Sequence, residues 1–110
     1  MAAYVVFLRE ETTDPEELHR YRELASRARD GHDLTPVAYY GALEVLEGPS
    51  FEGAVILRFP DAGAARAWYR SPAYQDALRH RVAGSRSRAF LIEGVPDPAP
   101  PLPSQSPHQS

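Results

Sequence analysis

Cysteine is absent from the 110 residues, which excludes a disulfide, a thiolate nucleophile and a thiolate metal site. Stability must come from packing, and the composition suits a reducing compartment. Also missing is any apolar run near the roughly 18 residues that a membrane span requires. Met1-Ala2-Ala3 leads straight into Tyr4-Val5-Val6-Phe7-Leu8 without a basic n-region or a small-residue cleavage site, so a cytoplasmic protein with no membrane partner is expected. Positive charge is not in excess. The formal net charge is −3 and the pI about 5.8, which gives no general attraction to phosphate backbones or anionic lipid. The basic run Arg79, Arg81, Arg86 and Arg88 does not alter this, because it is divided between a helix and a strand and no RNA-binding aromatic motif accompanies it. No nucleic-acid partner is expected. A Gly-rich phosphate loop, a Ser-His-Asp order and a paired carboxylate site are lacking as well.

What remains is an ordinary globular composition, 43% hydrophobic and 25% charged, of a length that suits one domain. Its most informative stretch is Ala65-Arg66-Ala67-Trp68-Tyr69-Arg70-Ser71-Pro72-Ala73-Tyr74-Gln75, which holds the only tryptophan. Ala65, Trp68 and Tyr69 fall at helical spacing. Pro72 then disfavours helical geometry at Ser71 and suits the first turn of a new helix. The stretch therefore reads as a helix-break-helix corner that sends aromatics into the core on both sides of the break.

Along the chain, Tyr4 to Arg9 is a strand, rich in β-branched and aromatic residues and too short for a helix. Thr13-Asp14-Pro15-Glu16-Glu17 offers a cap, proline at the first helical position and carboxylates at the positive end of the helix dipole. The helix that follows carries an inward stripe of Leu18, Tyr21, Ala25 and Ala28, with Leu24 beside it, and should stop near Asp30-Gly31. Val37 to Leu46 reads as a second strand with a bulge at Gly41, and Phe51 to Phe59 as a third, joined by the turn Glu47-Gly48-Pro49-Ser50. Helices over Ala62 to Arg70 and Pro72 to Ala83 and a strand over Arg88 to Glu93 complete a domain of residues 1–95. Residues 96–110 hold six of the eleven prolines and only Leu102 as a large apolar side chain, so a disordered tail is expected there.

Strand-helix-strand-strand-helix-strand is the split βαβ order, an α+β ferredoxin-like arrangement with helices on one face of a four-stranded antiparallel sheet. Yet Val55, Ile56 and Leu57, and again Phe90, Leu91 and Ile92, send apolar side chains to both faces. A bare apolar face would be a large sticky patch, and a second copy of the same sheet covers it most economically, so a homodimer is expected.

Several segments together carry a resemblance: Asp14-Pro15-Glu16; Gly41 before Leu43-Glu44-Val45-Leu46-Glu47-Gly48; Phe59-Pro60 before Ala64-Ala65-Arg66-Ala67-Trp68-Tyr69; Ser71-Pro72-Ala73-Tyr74-Gln75; and Ser85-Arg86 before Leu91-Ile92-Glu93-Gly94. In this order and spacing, over residues 3–95, they resemble the DUF1330 family. The resemblance implies the dimeric α+β barrel shared with antibiotic-biosynthesis monooxygenases, haem-degrading enzymes and small polyketide cyclases, which commonly use the cavity between helices and sheet. The family is uncharacterised in general. Where its members often show an arginine followed by two glycines, this chain has Tyr39-Tyr40-Gly41, which suggests a more aromatic and less anionic ligand.

Among residues able to carry chemistry, Arg81 stands on the apolar stripe Tyr74, Ala77, Leu78, Val82 and Ser85 of the last helix. It reads as an anchor for an anion or carbonyl, as half of an internal salt bridge to Glu44, Glu52 or Glu93, or as a side chain snorkelling from the helix edge. Tyr21, Trp68, Tyr69 and Tyr74 read as the wall of a pocket for a flat ligand or as plain core. Strand alternation allows only one of Tyr39 and Tyr40 to face the helices. The four histidines show no metal-ligand spacing; His32 and His80 are the better acid-base candidates, with Tyr39 beside them. The expected function is that of a cofactor-independent, metal-free enzyme performing proton transfer, cyclisation or oxygenation on an aromatic or polyketide-like metabolite, with biosynthesis as the expected setting. The alternatives are a binding or carrier module for the same small organic ligand and a structural or regulatory dimer.

Overall fold

The chain was analysed as a computed structural model, and the structure describes residues 1–96. Its elements are β1 (Ala3–Thr12), α1 (Pro15–Arg27), β2 (Thr35–Tyr39), β3 (Gly53–Phe59), α2 (Ala62–Arg70), α3 (Pro72–Gly84) and β4 (Ser85–Glu93). The four strands form one antiparallel sheet in the order β2-β3-β1-β4, with all three helices packed on one face, as the split βαβ order requires. No helix among the described residues is long and apolar enough to cross a membrane. The expected tail, apart from Pro96, lies outside the described residues.

The helix boundaries follow from capping chemistry. Asp14 accepts from the amides of Glu16 and Glu17, and Asp61 Oδ1 accepts from Ala64 N at 2.7 Å. Ser71 serves two helices at once. Its backbone is extended, as a residue before proline prefers, and its hydroxyl donates to Trp68 O at 2.7 Å while accepting from Tyr74 N at 3.2 Å. The corner therefore forms as its residues dictate, and Trp68 (2% exposed) and Tyr74 (0%) enter the core from either side of it.

On the helix face of the sheet, alternation brings Val5 and Phe7 of β1 beside Val55, Leu57 and Phe59 of β3, all buried. Trp68 packs against Tyr74 with ring centroids 4.2 Å apart and against Phe59 at 5.4 Å. α1 is tied to α3 at one end. Gly84 O accepts from Thr13 N at 2.8 Å and Asp14 N at 3.0 Å, and a Cβ at Gly84 would lie 2.9 Å from Asp14 O and 3.0 Å from Leu18 Cγ, so only glycine fits the approach. One turn further in, His80 Nδ1 meets Glu17 Oε1 at 2.6 Å.

The other face of the sheet is apolar and uncovered among the described residues of the single chain. Val6 lies between Ile56 and Phe90 in the register, and Tyr4 stands next to Ile92; Phe90 and Ile92 are 44% and 54% exposed.

Several boundaries differ from the expectations. The second strand ends at Tyr39 instead of running to Leu46, because Tyr40 adopts a left-handed conformation (φ 52°) and pairing with β3 stops after its amide donates to Ala54 O at 2.9 Å. Residues 41–52 form an irregular, mostly exposed segment with Leu46 84% exposed, and the register irregularity lies between Pro36 and Ala38, not at Gly41. This segment is fastened at its far end. Glu52 accepts from Thr12 N (3.0 Å), Thr12 Oγ1 (2.6 Å) and Arg9 Nε (3.1 Å). β3 begins at Gly53 and β4 at Ser85, while α1 ends at Arg27 and passes through turns to Gly31. Val82, placed on the inward stripe from the sequence, is 63% exposed.

Candidate functional site

A cavity of about 190 Å³ opens between α1 and the sheet. Its floor comes from strand residues of one parity: Phe7 and Arg9 of β1, Val55 and Leu57 of β3, with Pro36 and Tyr39 of β2. Its roof is the α1 stripe of Leu18, Tyr21, Arg22 and Ala25, continued by Arg29 beyond the helix. Trp68 of α2, Arg81 of α3 and Ser85 and Ser87 of β4 also line it. The cavity thus lies under α1, away from the outer side of the α2–α3 corner.

Both Tyr39 and Tyr40 line it, which corrects the expectation that alternation admits only one. Tyr39 pairs with inward-facing Val55 and shares its face of the sheet. Tyr40 should point the other way, but the left-handed turn at its own backbone lays the ring over Gly53, where a Cβ would sit 2.7 Å from Tyr40 Cδ1. The two rings meet edge to face at 5.0 Å. Arg9 stacks on the Tyr40 ring, its guanidinium carbon 4.7 Å from the centroid.

Arg81 is the deepest charge, 9% exposed. Its Nη1 donates to Ser87 Oγ at 2.6 Å and its guanidinium carbon lies 5.2 Å from the Phe7 centroid, while Nε is buried without an acceptor. Among the described residues no carboxylate stands within 4.0 Å of it, so the expected salt bridge to Glu44, Glu52 or Glu93 is not made; Glu52 pairs with Arg9. Trp68 Nε1 is a second buried donor without an acceptor. Tyr21 reaches across to Tyr74, hydroxyl to hydroxyl at 2.9 Å.

Burial pushes the Tyr21 phenol far up, and the neighbouring Tyr74 adds to this against the opposing pull of Arg81. Burial likewise raises Tyr74 against Arg81, and Tyr40 against Arg9. These phenols are protonated at neutral pH and act as hydrogen-bond donors.

Of the residues singled out in the sequence, Tyr21, Tyr39, Tyr40, Trp68 and Arg81 are brought together at the cavity. His32, His80, Tyr69 and Tyr74 are not among its lining residues. His80 is turned to Glu17 between α1 and α3, and Tyr74 is sealed in the core, its hydroxyl bonded to Tyr21 and close to Arg81. Tyr69 lines a separate groove between α2 and β4 together with Arg66, Arg70 and Phe90. The sequence reading missed Arg9, Arg22 and Arg29. Among the described residues they make, with Arg81, four arginines in the lining and no acidic residue, so replacing a family arginine by tyrosine near Gly41 has not left this cavity without cations. A signal did exist: Arg9 shares strand parity with buried Phe7, and Arg22 and Arg29 are seven residues apart on the side of α1 that carries Tyr21.

No curated protein matches the sequence. Among solved structures, a protein of unknown function from Rhodopseudomonas palustris is similar at a TM-score of 0.68 and 19% identity, over 87% of this chain and 84% of that one. A dimeric ferredoxin-like protein of unknown function from Thermobifida fusca follows at 0.59 and 16%, over 84% and 91%. SnoaB, a cofactor-independent oxygenase from Streptomyces nogalater, is similar at 0.53 and 12%, over 87% and 94%. At these identities the likeness is one of fold. Residues 2–95 match the family described as Domain of unknown function (DUF1330), and the chain belongs to it.

Proposed function

We propose that this protein binds a small aromatic metabolite in the cavity beneath α1 and acts as a homodimer. The observation that carries the binding reading is the lining itself: flat walls from Phe7, Tyr21 and Trp68, a buried guanidinium at Arg81, and protonated phenols as donors. Such a site holds and polarises a ligand. It offers no histidine, carboxylate, cysteine or lysine to take a proton, because none of these residue types lines it. The dimer is supported by the uncovered apolar sheet face and by the dimeric description of the Thermobifida fusca neighbour.

The second reading is a cofactor-independent enzyme on the same site, favoured by one feature, the position of Arg81 next to Phe7 and near the Tyr21–Tyr74 hydroxyl pair. A guanidinium there stabilises an enolate or phenolate form of the ligand once solvent has taken its proton, and catalysis would rest on that charge stabilisation. Calorimetric titration with a panel of one-ring aromatic compounds, neutral and anionic, tests the binding reading. Binding of at least one compound at micromolar to millimolar Kd is expected, and its loss on Ala25→Trp, which fills the cavity from α1, places it there. A panel in which no compound binds overturns the reading. Consumption of a bound compound under air by the wild type alone separates the enzyme from the carrier.

A further inference from the structure

We propose that the ligand class of this cavity is a one-ring aromatic carboxylate, seated with its carboxylate at Arg81 and its ring between Phe7, Tyr21 and Trp68. The inference rests on the binding reading above and narrows it by charge, by geometry and by size.

Charge comes first. The whole chain is acidic, at −3, yet among the described residues the cavity is lined by Arg9, Arg22, Arg29 and Arg81 and by no Asp or Glu. Arg9 is matched by Glu52 at 3.1 Å. Among the described residues the other three have no carboxylate within 4.0 Å. Arg22 and Arg29 are exposed, and at the mouth they attract an anion and orient its approach. Arg81 is different. Nine-tenths buried, it donates to Ser87 Oγ, lies over the Phe7 ring and has the Tyr74 hydroxyl close by, yet its Nε finds no acceptor, so a group with five N–H donors is under-used. A charge taken out of water with its donors under-used calls for an anion, and the planar fork of a guanidinium matches the two oxygens of a carboxylate. The other buried polar atom there without a partner is a donor as well, since Trp68 Nε1 can only donate. Ligand oxygens, and no ligand cation, complete such a set.

Size decides between the one-ring acid and a fused-ring polyketide. A cavity of roughly 150 Å³ takes a benzene ring. The present cavity, at about 190 Å³, has room for a ring and a carboxylate but not for three or four fused rings.

The test uses the full chain and defined probes: benzoate and 4-hydroxybenzoate, the neutral isosteres benzamide and 4-hydroxybenzamide, and anthracene-9-carboxylate, titrated calorimetrically at neutral pH and low salt. The expected result is that the one-ring acids bind at least tenfold more tightly than their amides and than the three-ring acid, with weakening as salt is raised. Arg81→Met is expected to weaken the acids at least tenfold and their amides much less, so that the preference for the acid over its amide is lost. Arg81→Lys, which keeps the charge without the fork, is expected to fall between, and it carries the test should the methionine variant fail to fold. If acids and amides bind the wild type alike, or if anthracene-9-carboxylate binds most tightly, the inference is overturned while the small-molecule reading stands. If none of the probes binds, both fall.

Discussion

Replacing Arg81 by methionine separates a ligand anchor from a structural cation, and the structure allows the stability change to be worked out. The variant loses the Nη1 bond to Ser87 Oγ, a charged hydrogen bond of about 2 kcal/mol. It also loses the contact with the Phe7 face, worth about 1 kcal/mol. Against this, methionine removes a buried Nε–H without an acceptor, which relieves about 2 kcal/mol. Its sulfur in turn gains a contact with the aromatic cluster of about 1 kcal/mol. Ser87 is only half-buried, so its freed hydroxyl can turn to water. The opposing contributions nearly cancel, and urea denaturation should place Arg81→Met within about 1 kcal/mol of the wild type, whereas stripping the partner from a buried ion pair costs about 3 to 5 kcal/mol. A loss of that larger size, with benzoate affinity unchanged, would show that Arg81 holds the fold together through a pairing the present geometry does not contain.

Four further outcomes are expected. Ile56→Glu, which puts a charge at the centre of the uncovered sheet face, should turn a homodimer into a 12.2 kDa monomer in sedimentation; a wild type that already sediments as a monomer at micromolar concentration refutes the dimer. Gly53→Ala sets a Cβ 2.7 Å from Tyr40 Cδ1, so it should cost about 1 kcal/mol in urea and weaken ligand binding by displacing the Tyr40 ring, and a variant indistinguishable from wild type contradicts the placement of that ring. Burial keeps Tyr21 and Tyr74 protonated in the folded chain while the unfolded chain ionises near the ordinary phenol value of 10.0. Their contribution is therefore complete below that pH and declines above it, a decline that the double variant Tyr21→Phe/Tyr74→Phe should flatten in urea midpoints measured across the alkaline range. Ending the chain after Val95 should leave the urea midpoint unchanged, since the family match itself stops there, and a truncated chain that unfolds without cooperativity refutes this.

The helices were legible because their boundaries are local events. Asp14-Pro15 and Ser71-Pro72 each state a cap and a fixed φ within a few residues, and the structure uses both as written. The second strand was over-read for the opposite reason. Leu43, Val45 and Leu46 have strand chemistry, but whether they pair depends on a neighbour elsewhere, and the left-handed residue at Tyr40 ends the ladder before them. His80 lies outside the cavity's lining and faces Glu17, a partner 63 residues away that its own sequence surroundings do not reveal. The cavity's charge was hidden in the same manner: its arginines come from β1, α1, the following turn and α3, and each alone looks like an ordinary solvated cation. Arg81, placed where a helix stripe should be apolar, gives the plainest signal of the four in one dimension.

The joint between Gly84 and the start of α1 has a mechanical consequence. Two backbone hydrogen bonds and a contact that tolerates no Cβ make the N-terminal end of that helix a built-in support, whereas its other end runs out into turns and an exposed Arg29. A beam held at one end bends least at the support and most at the tip. Leu18 and Tyr21 are thereby expected to keep their distance from α3 and from the guanidinium it carries, and displacement by an entering molecule is expected between Ala25 and Arg29, where buried Ala28 fastens the chain to the core and no α3 backbone bond does. Hydrogen exchange should record this as a gradient along α1, slow near Leu18 and progressively faster toward Arg27, that flattens when the cavity is filled.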